Sequence, residues 1–275
     1  MKLPPVAALS IALLLTTMEA RASQCTTTIP DGALVKKGSL VMSINPTLPP
    51  MQFVDRSGEL KGMRVALGQE IAKRLCLKPE FVRTEFTTMI PGLRSGRWDV
   101  INTGIFYTRE RAKLMHMLPY EAQAISISTV KGNPQGIRTT DDLAGKSVGV
   151  EIGGFEERKA RELHAQLIAK GMKGLTIRTF ENFSMAFQAL RAGQLDAAVC
   201  IDATSTEYAR RGGFDTVLHG LFPTPVALAA RNKELAEAMA RAINDMKRDG
   251  SFQKLLDQYG VQPIDGAQAV DGPMT

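Results

Sequence analysis

The chain has 275 residues, 44% hydrophobic and 23% charged, with 14 Pro and 24 Gly; it can bury one large core or two ordinary ones and is neither collagen-like nor a low-complexity disordered chain. Its formal charge of +6 comes from 34 basic and 28 acidic residues that are interspersed, and only 6% of residues are aromatic. No Lys/Arg block tracks a phosphate backbone and no stacking platform accompanies one, so nucleic acid is not expected as a partner.

The first 22 residues read as an address. Lys2 gives a positive start, residues 6–17 form a short apolar run, and Ala20-Arg21-Ala22 offers the small-x-small pattern of a signal-peptidase site. The run is too short for a spanning helix of roughly 20 residues, and no later stretch is longer. An exported, soluble mature chain in the periplasm is therefore expected. Cys25 lies just past the cleavage site, but a lipoprotein signal needs a large apolar residue three before the Cys and a small one directly before it. Ala22 and Gln24 stand there, so no lipid anchor is expected. Cys25, Cys76 and Cys200 allow one disulfide in an oxidising compartment, and all three pairings are open. Cys200 sits in an apolar run and reads as a small buried hydrophobe.

Strand and helix signals then alternate. Residues 40–45 predict a strand, followed by a Pro-rich loop at 46–50. Apolar residues at Val65, Leu67, Ile71 and Leu75 predict a half-buried helix over 63–77. A strand is expected at 80–84, a helix at 87–95 stopped by Gly96, a strand at 99–103, and a new helix from Thr108. Alternation at 125–130 gives a further strand. After a Gly/Pro loop come strand 147–151, helix 155–170, strand 175–180, helix 184–191 and the nearly all-apolar strand 196–201, as buried parallel strands tend to read. Leu235, Met239, Ala242 and Met246 line a late helix, and residues 251–259 close the ordered chain. The tail over 263–275 has no periodicity and is expected to be mobile. The alternation predicts an α/β fold with mainly parallel sheet.

One segment recurs. Leu93-Arg-Ser-Gly96-Arg-Trp-Asp99 matches Leu190-Arg-Ala-Gly193-Gln-Leu-Asp196. In each, a helix ends on a Gly suited to left-handed angles and an Asp opens a buried strand. Two such units predict two lobes whose strand ends face each other, which is where open α/β sheets bind ligands; chance repetition of a common unit is the alternative.

Enzyme and metal motifs are absent. His116, His164 and His219 have no ligand spacing, and Ala144-Gly-Lys-Ser147 precedes a strand where a phosphate loop would follow one. Neither a metal nor a cofactor is expected. Arg111 stands at the third position of a helix that Thr108 can cap, where a cation opposes the helix dipole. An anion over that helix start would explain it, with the guanidinium and free N–H groups forming a carboxylate-shaped fork; a solvated surface Arg is the alternative. Asp202 directly follows an apolar strand, so its carboxylate either faces a cleft or caps the next helix. A fixed cation and a fixed anion on opposite lobes would hold a zwitterion.

Glu59-Leu-Lys-Gly62 with its amphipathic helix, Phe86-Thr-Thr-Met-Ile-Pro91-Gly-Leu-Arg-Ser-Gly96-Arg-Trp-Asp99, Thr108-Arg-Glu-Arg111, Pro119-Tyr120, Asp142-Leu-Ala-Gly145-Lys-Ser-Val-Gly-Val150 and Asp249-Gly-Ser-Phe-Gln-Lys resemble the bacterial extracellular solute-binding proteins of family 3. The resemblance runs from Gly38 to about Val261. It implies a type II periplasmic-binding-protein-like Venus flytrap, with two α/β lobes and a hinge of two crossover segments. Lobe 1 is expected over 23–126 plus 220–262 and lobe 2 over 127–219. It further implies a monomeric receptor that captures an amino-acid-like zwitterion and delivers it to an ABC permease. Matched by motif, Arg111 is the carboxylate clamp, aided by Thr108, Thr103 and Gly104; Asp202 is the ammonium partner; Phe86 is an aromatic wall.

Departures from the family pattern bear on the ligand. Leu48 replaces a second aromatic wall, Asn45 a frequent Asp, and Phe106 a small Thr or Ser. Gly154-Phe155 replaces a Thr-containing pair and removes a hydroxyl, and Glu121 follows Tyr120 where a second Tyr is common. Glu121, if it faces the cleft, would favour a cationic side chain. No catalytic residue is expected. The alternative is an exported cyclohexadienyl (prephenate/arogenate) dehydratase-like enzyme on the same fold, with Glu121 or Glu151 as its acid.

Overall fold

Two copies of one local plan build the molecule, whose computed structural model describes residues 25–273; the signal segment expected over 1–22 lies outside the described residues. The first copy runs β1 (Ser39–Ile44), a small antiparallel sheet of β2 (Thr47–Leu48), β3 (Gln52–Val54) and β4 (Leu60–Lys61), then α1 (Met63–Arg74), β5 (Lys78–Arg83), α2 (Phe86–Arg94) and β6 (Val100–Phe106). The one-turn helix α3 (Arg109–Ala112) leads into β7 (His116–Val130), which crosses to the second copy. There β8 (Ser147–Glu151), α4 (Phe155–Ala169), β9 (Thr176–Phe180), α5 (Phe183–Arg191) and β10 (Ala197–Ile201) repeat the order. Helix α6 (Asp202–Arg210) precedes β11 (Phe214–Ala230), which returns to the first lobe, where α7 (Lys233–Arg248), α8 (Ser251–Asp257) and β12 (Gln262–Pro263) finish the chain.

The sheet order is β5-β1-β6-β11-β7-β10-β8-β9, with β12 on β7. Within each lobe the pairs are parallel, and β9-β8-β10 mirrors β5-β1-β6. The crossing strands β7 and β11 pair antiparallel with each other and with their neighbours, so the sheet is mixed where mainly parallel pairing was expected. Their ladder slips between Thr216 and Leu218, Leu218 and Leu221, and Leu221 and Thr224. The lobe boundaries expected at 126/127 and 219/220 fall in this irregular stretch.

The recurring sequence unit has a shared mechanical purpose. Gly96 (φ 73°) and Gly193 (φ 71°) take the left-handed angles that end a helix. Asp99 then accepts from Val41 N on β1 at 3.0 Å, and Asp196 from Ser147 N on β8 at 2.7 Å. Each aspartate ties the start of its strand to the neighbouring parallel strand.

Two features differ from expectation. The long strand β11 carries Pro223 and Pro225 and no clean alternation, so period-two patterning does not announce it. The tail expected to be mobile packs instead along lobe 1 as far as it is described. Gln262 and Pro263 pair with β7, Asp271 bridges Met117, and the buried Gln268 donates to Pro119 O at 2.6 Å. Backbone pairing to an existing strand edge holds such a segment without any periodic apolar face.

Cys25 and Cys76 form the disulfide, clamping the described N-terminus to the end of α1, while Cys200 is a buried free thiol. A sulfur bonded to sulfur is not available for a lipid thioether. Among the described residues no helix is long and apolar enough to cross a membrane.

Candidate functional site

The carboxyl ends of β1 and β6 face those of β8 and β10, and the residues just past them line a small interlobe cavity. From lobe 1 come Leu48, Phe86, Thr103, Gly104, Phe106 and Arg111; from lobe 2 come Glu151, Gly154, Phe155, Glu156, Phe183 and Ile201. The free space between them is about 10 Å³, room for a single water. Phe106 and Phe155 stack across the cleft with ring centroids 4.3 Å apart. A guest the size of an amino acid would fit there only if the lobes and these two rings parted.

Thr108 caps α3 through Oγ1, accepting from Arg111 N at 3.1 Å. The helix is only four residues long, so the dipole argument for Arg111 carries little; its setting comes from tertiary contacts. The guanidinium donates to Phe106 O at 2.9 Å and, across the cleft, to Gly153 O at 3.4 Å, and it lies over the Phe86 ring. These partners are carbonyls and a π face, none of which neutralises the charge. Burial pulls its pKa down to about 10, against the nearby Glu156 carboxyl, which acts the other way.

Thr103 and Gly104 are held from below. Arg64, fully buried in the first turn of α1, forms an ion pair with Glu121 at 3.1 Å and donates to Tyr120 Oη and Gln52 Oε1. Gln52 in turn donates to Thr103 O at 2.7 Å. Gly104 (φ 82°) passes directly over the guanidinium, where a Cβ would overlap it. Glu121 thus does not face the cleft: it is wholly buried against Arg64, and the expectation that it selects a cationic side chain is corrected. The sequence carried a signal for this pair. Arg64 shares a helix face with Leu67, Gly68 and Ile71, and a cation on an apolar stripe needs a buried acid.

Asp202 is also placed differently from expectation. Its carboxylate accepts from Ser126 Oγ on β7 and from Gly220 N on β11 at 3.1 Å, joining the start of α6 to both crossing strands. It lines a separate cavity of about 630 Å³ at the hinge, with Gln123, Glu207 and His219. The preceding residue, Ile201, lines the interlobe cavity, and that side chain cannot meet an ammonium.

The acids that do line the cavity are Glu151 and Glu156. Glu151 ends β8 and accepts from Asn45 Nδ2 at 2.9 Å, a hydrogen bond between lobes. Asn45 is fixed by its own N–H donating to Thr103 Oγ1 and by Thr47. Glu156 is buried in the first turn of α4, and its Oε1 has no hydrogen-bond partner. Gly154 makes room for it, since a Cβ there would sit 2.8 Å from Glu156 Oε2. A carboxylate thus lies beside Gly154, where the sequence lacks a hydroxyl. Burial pushes Glu156 up to about 7; it pushes Glu151 well above its ordinary range, with Glu156 and Glu85 adding to the effect. Like Arg64, Glu156 was legible as a charge on an apolar stripe, sharing its face with Ala160, Leu163 and Leu167.

Among the described residues no cluster of His, Cys, Asp and Glu could hold a metal ion. Two α/β lobes on a pair of crossing strands, closing over buried side chains of both signs, define a receptor of the type II periplasmic-binding class. The chain belongs to the bacterial extracellular solute-binding proteins, family 3, whose family model matches residues 40–262. It is similar to the L-cystine-binding protein TcyJ of Escherichia coli K12, 29% identical over 82% of this chain and 83% of that one. It is 28% identical to the lysine/arginine/ornithine-binding periplasmic protein of the same organism, over 78% and 84%. Among solved structures, an ancestral amino acid-binding protein described as a precursor of cyclohexadienyl dehydratase superposes with a TM-score of 0.72, at 29% identity over 81% and 95%. These relatives are binding proteins, and the dehydratase alternative gains nothing from them: even the neighbour related to that enzyme is an amino acid-binding protein.

Proposed function

We propose that the chain is the periplasmic receptor of an ABC importer, capturing an amino acid or amino-acid-like zwitterion between its lobes and presenting it to a membrane permease. The observation that carries this is Arg111: a desolvated guanidinium in the interlobe cavity whose protein partners are carbonyl oxygens and a phenyl face. A ligand carboxylate would supply the missing charge, with Thr103 and the Gly104 backbone beside it. The ammonium would meet the acids of lobe 2, so the lobes gain contact with the ligand only on closing, which is how binding shifts an open–closed equilibrium. The amino-acid-binding and periplasmic relatives support the same reading, as does the leader-like segment at 1–22.

A thermal-shift panel of amino acids, opines and small carboxylates tests it. A ligand at about a hundred times its Kd adds roughly 2.7 kcal/mol of stability. Charge-assisted hydrogen bonds contribute about 1.5–3 kcal/mol, so Arg111→Ala is expected to weaken the best ligand ten- to hundred-fold. An affinity unchanged by that substitution would exclude Arg111 as the clamp.

A further inference from the structure

Because Asp202 turns toward the hinge and Ile201 is the residue at the end of β10 that lines the interlobe cavity, the cationic end of a ligand held there must be received elsewhere. The cavity offers one place. Glu151 and Glu156 approach it from β8 and from the first turn of α4, five residues apart in sequence and both buried. Glu156 Oε1 is left without a hydrogen-bond partner, and Glu151 Oε1 accepts from the neutral amide of Asn45.

The other charges around the pair do not balance it. Glu85, at the start of α2, adds a third acid from lobe 1, and its Oε2 is itself unpartnered. Arg158 is matched by Glu110 at 3.7 Å across the cleft. Cys200 on β10 is a neutral thiol pushed well up by burial and by these same acids. Arg111 is the cation facing the pair, and a ligand carboxylate would engage it. The phenyl rings of Phe86, Phe106, Phe155 and Phe183 supply π faces in the same cavity, surfaces that attract cations and offer anions nothing.

We infer that Glu151 and Glu156 form a carboxylate pair that receives cationic groups, so that the site prefers a ligand of net positive charge, one carboxylate with two cationic nitrogens, and releases protons as it binds. This rests on the reading of Arg111 as the carboxylate clamp and adds the charge of the guest to it. The proton coupling follows from the setting of the acids. Glu156 holds its proton up to about pH 7, and burial together with the neighbouring acids favours the protonated form of Glu151 as well. A second positive charge on the ligand drives both to ionise, so affinity for a cationic ligand rises with pH by up to about tenfold per unit for each proton displaced.

The experiment compares isosteres that differ in charge, by calorimetric titration of the full mature chain at pH 6, 7 and 8. Arginine is set against citrulline, and ornithine against norvaline. The cationic member of a bound pair is expected to bind at least tenfold tighter at pH 8, the ratio narrowing toward pH 6. Titrations in buffers of different ionisation enthalpy are expected to report release of roughly half a proton or more per arginine at pH 7. Glu156→Gln is expected to reduce both the charge ratio and its pH dependence, leaving the share that Glu151 carries; the pH series on the unmodified protein reads the same coupling should that variant fold poorly. Citrulline or norvaline binding as tightly as its cationic counterpart at pH 8, or a ratio unmoved by pH, overturns the carboxylate-pair assignment while leaving the amino-acid receptor intact. Binding of no amino acid at all in the wider panel defeats the receptor reading, and this inference with it.

Discussion

Replacing Glu156 by Gln tests the electrostatics of the cleft without any ligand. The carboxyl is 2% exposed, and its pKa moves from 4.5 to about 7 on folding, chiefly through burial. Between those two values the folded chain binds more protons than the unfolded one, so stability falls as pH rises through that window. Below 4.5 both states are protonated and above about 7 both are ionised, so the loss is complete by pH 8. At 1.36 kcal/mol per pH unit the shift corresponds to about 3 kcal/mol. Gln keeps the shape and does not titrate. Urea unfolding followed by circular dichroism from pH 4.5 to 8 should therefore show the wild type losing about 3 kcal/mol more than Glu156→Gln across the range. Glu151 is shifted in the same direction, chiefly by its own burial, which the substitution leaves in place; losing the Glu156 charge also relaxes the part of the Glu151 shift that Glu156 causes, which adds to the difference in the same sense. Superimposable pH profiles would refute the argument, because they would mean that the Glu156 carboxyl is solvated in the folded protein.

Two further predictions concern the support of the site. Glu121→Gln leaves the Arg64 guanidinium buried without its counter-charge, which costs about 3–5 kcal/mol; a fall in Tm is expected, and Arg64→Met combined with Glu121→Leu should recover much of it. Reducing the Cys25–Cys76 bond, which spans 51 positions of sequence, releases loop-closure entropy worth about 4 kcal/mol in the unfolded chain. Melting with and without a phosphine reductant should show a clear drop in Tm, and an unchanged Tm would mean that the N-terminal segment contributes nothing to lobe 1.

The local order of the chain was written in its residues. Apolar spacing placed α1 and α7, and the Leu-Arg-x-Gly-x-x-Asp unit exposed the duplicated lobe plan, because helix ends and buried strands depend on neighbours within a few positions. Arg111 stood out in the sequence as a cation at a helix start, but α3 is only four residues long, so it is the tertiary contacts with Phe106, Gly153 and Phe86 that define its setting. The sequence could not choose among three cysteines, since a disulfide depends on which chain segments meet.

Only the tertiary structure decided which acid serves the cavity. Asp202 and Ile201 are adjacent, but successive positions at a strand end point to opposite sides, so one turns toward the hinge and its neighbour toward the interlobe cavity. Glu121 looked available until Arg64, 57 positions away, was brought beneath it by the packing of α1 on the sheet. Glu156 reached the cavity because Gly154 left space for its carboxylate. Residue identity sets what a group can bind; the long-range packing of strands and helices fixes which side of the backbone it serves and how dry its surroundings are.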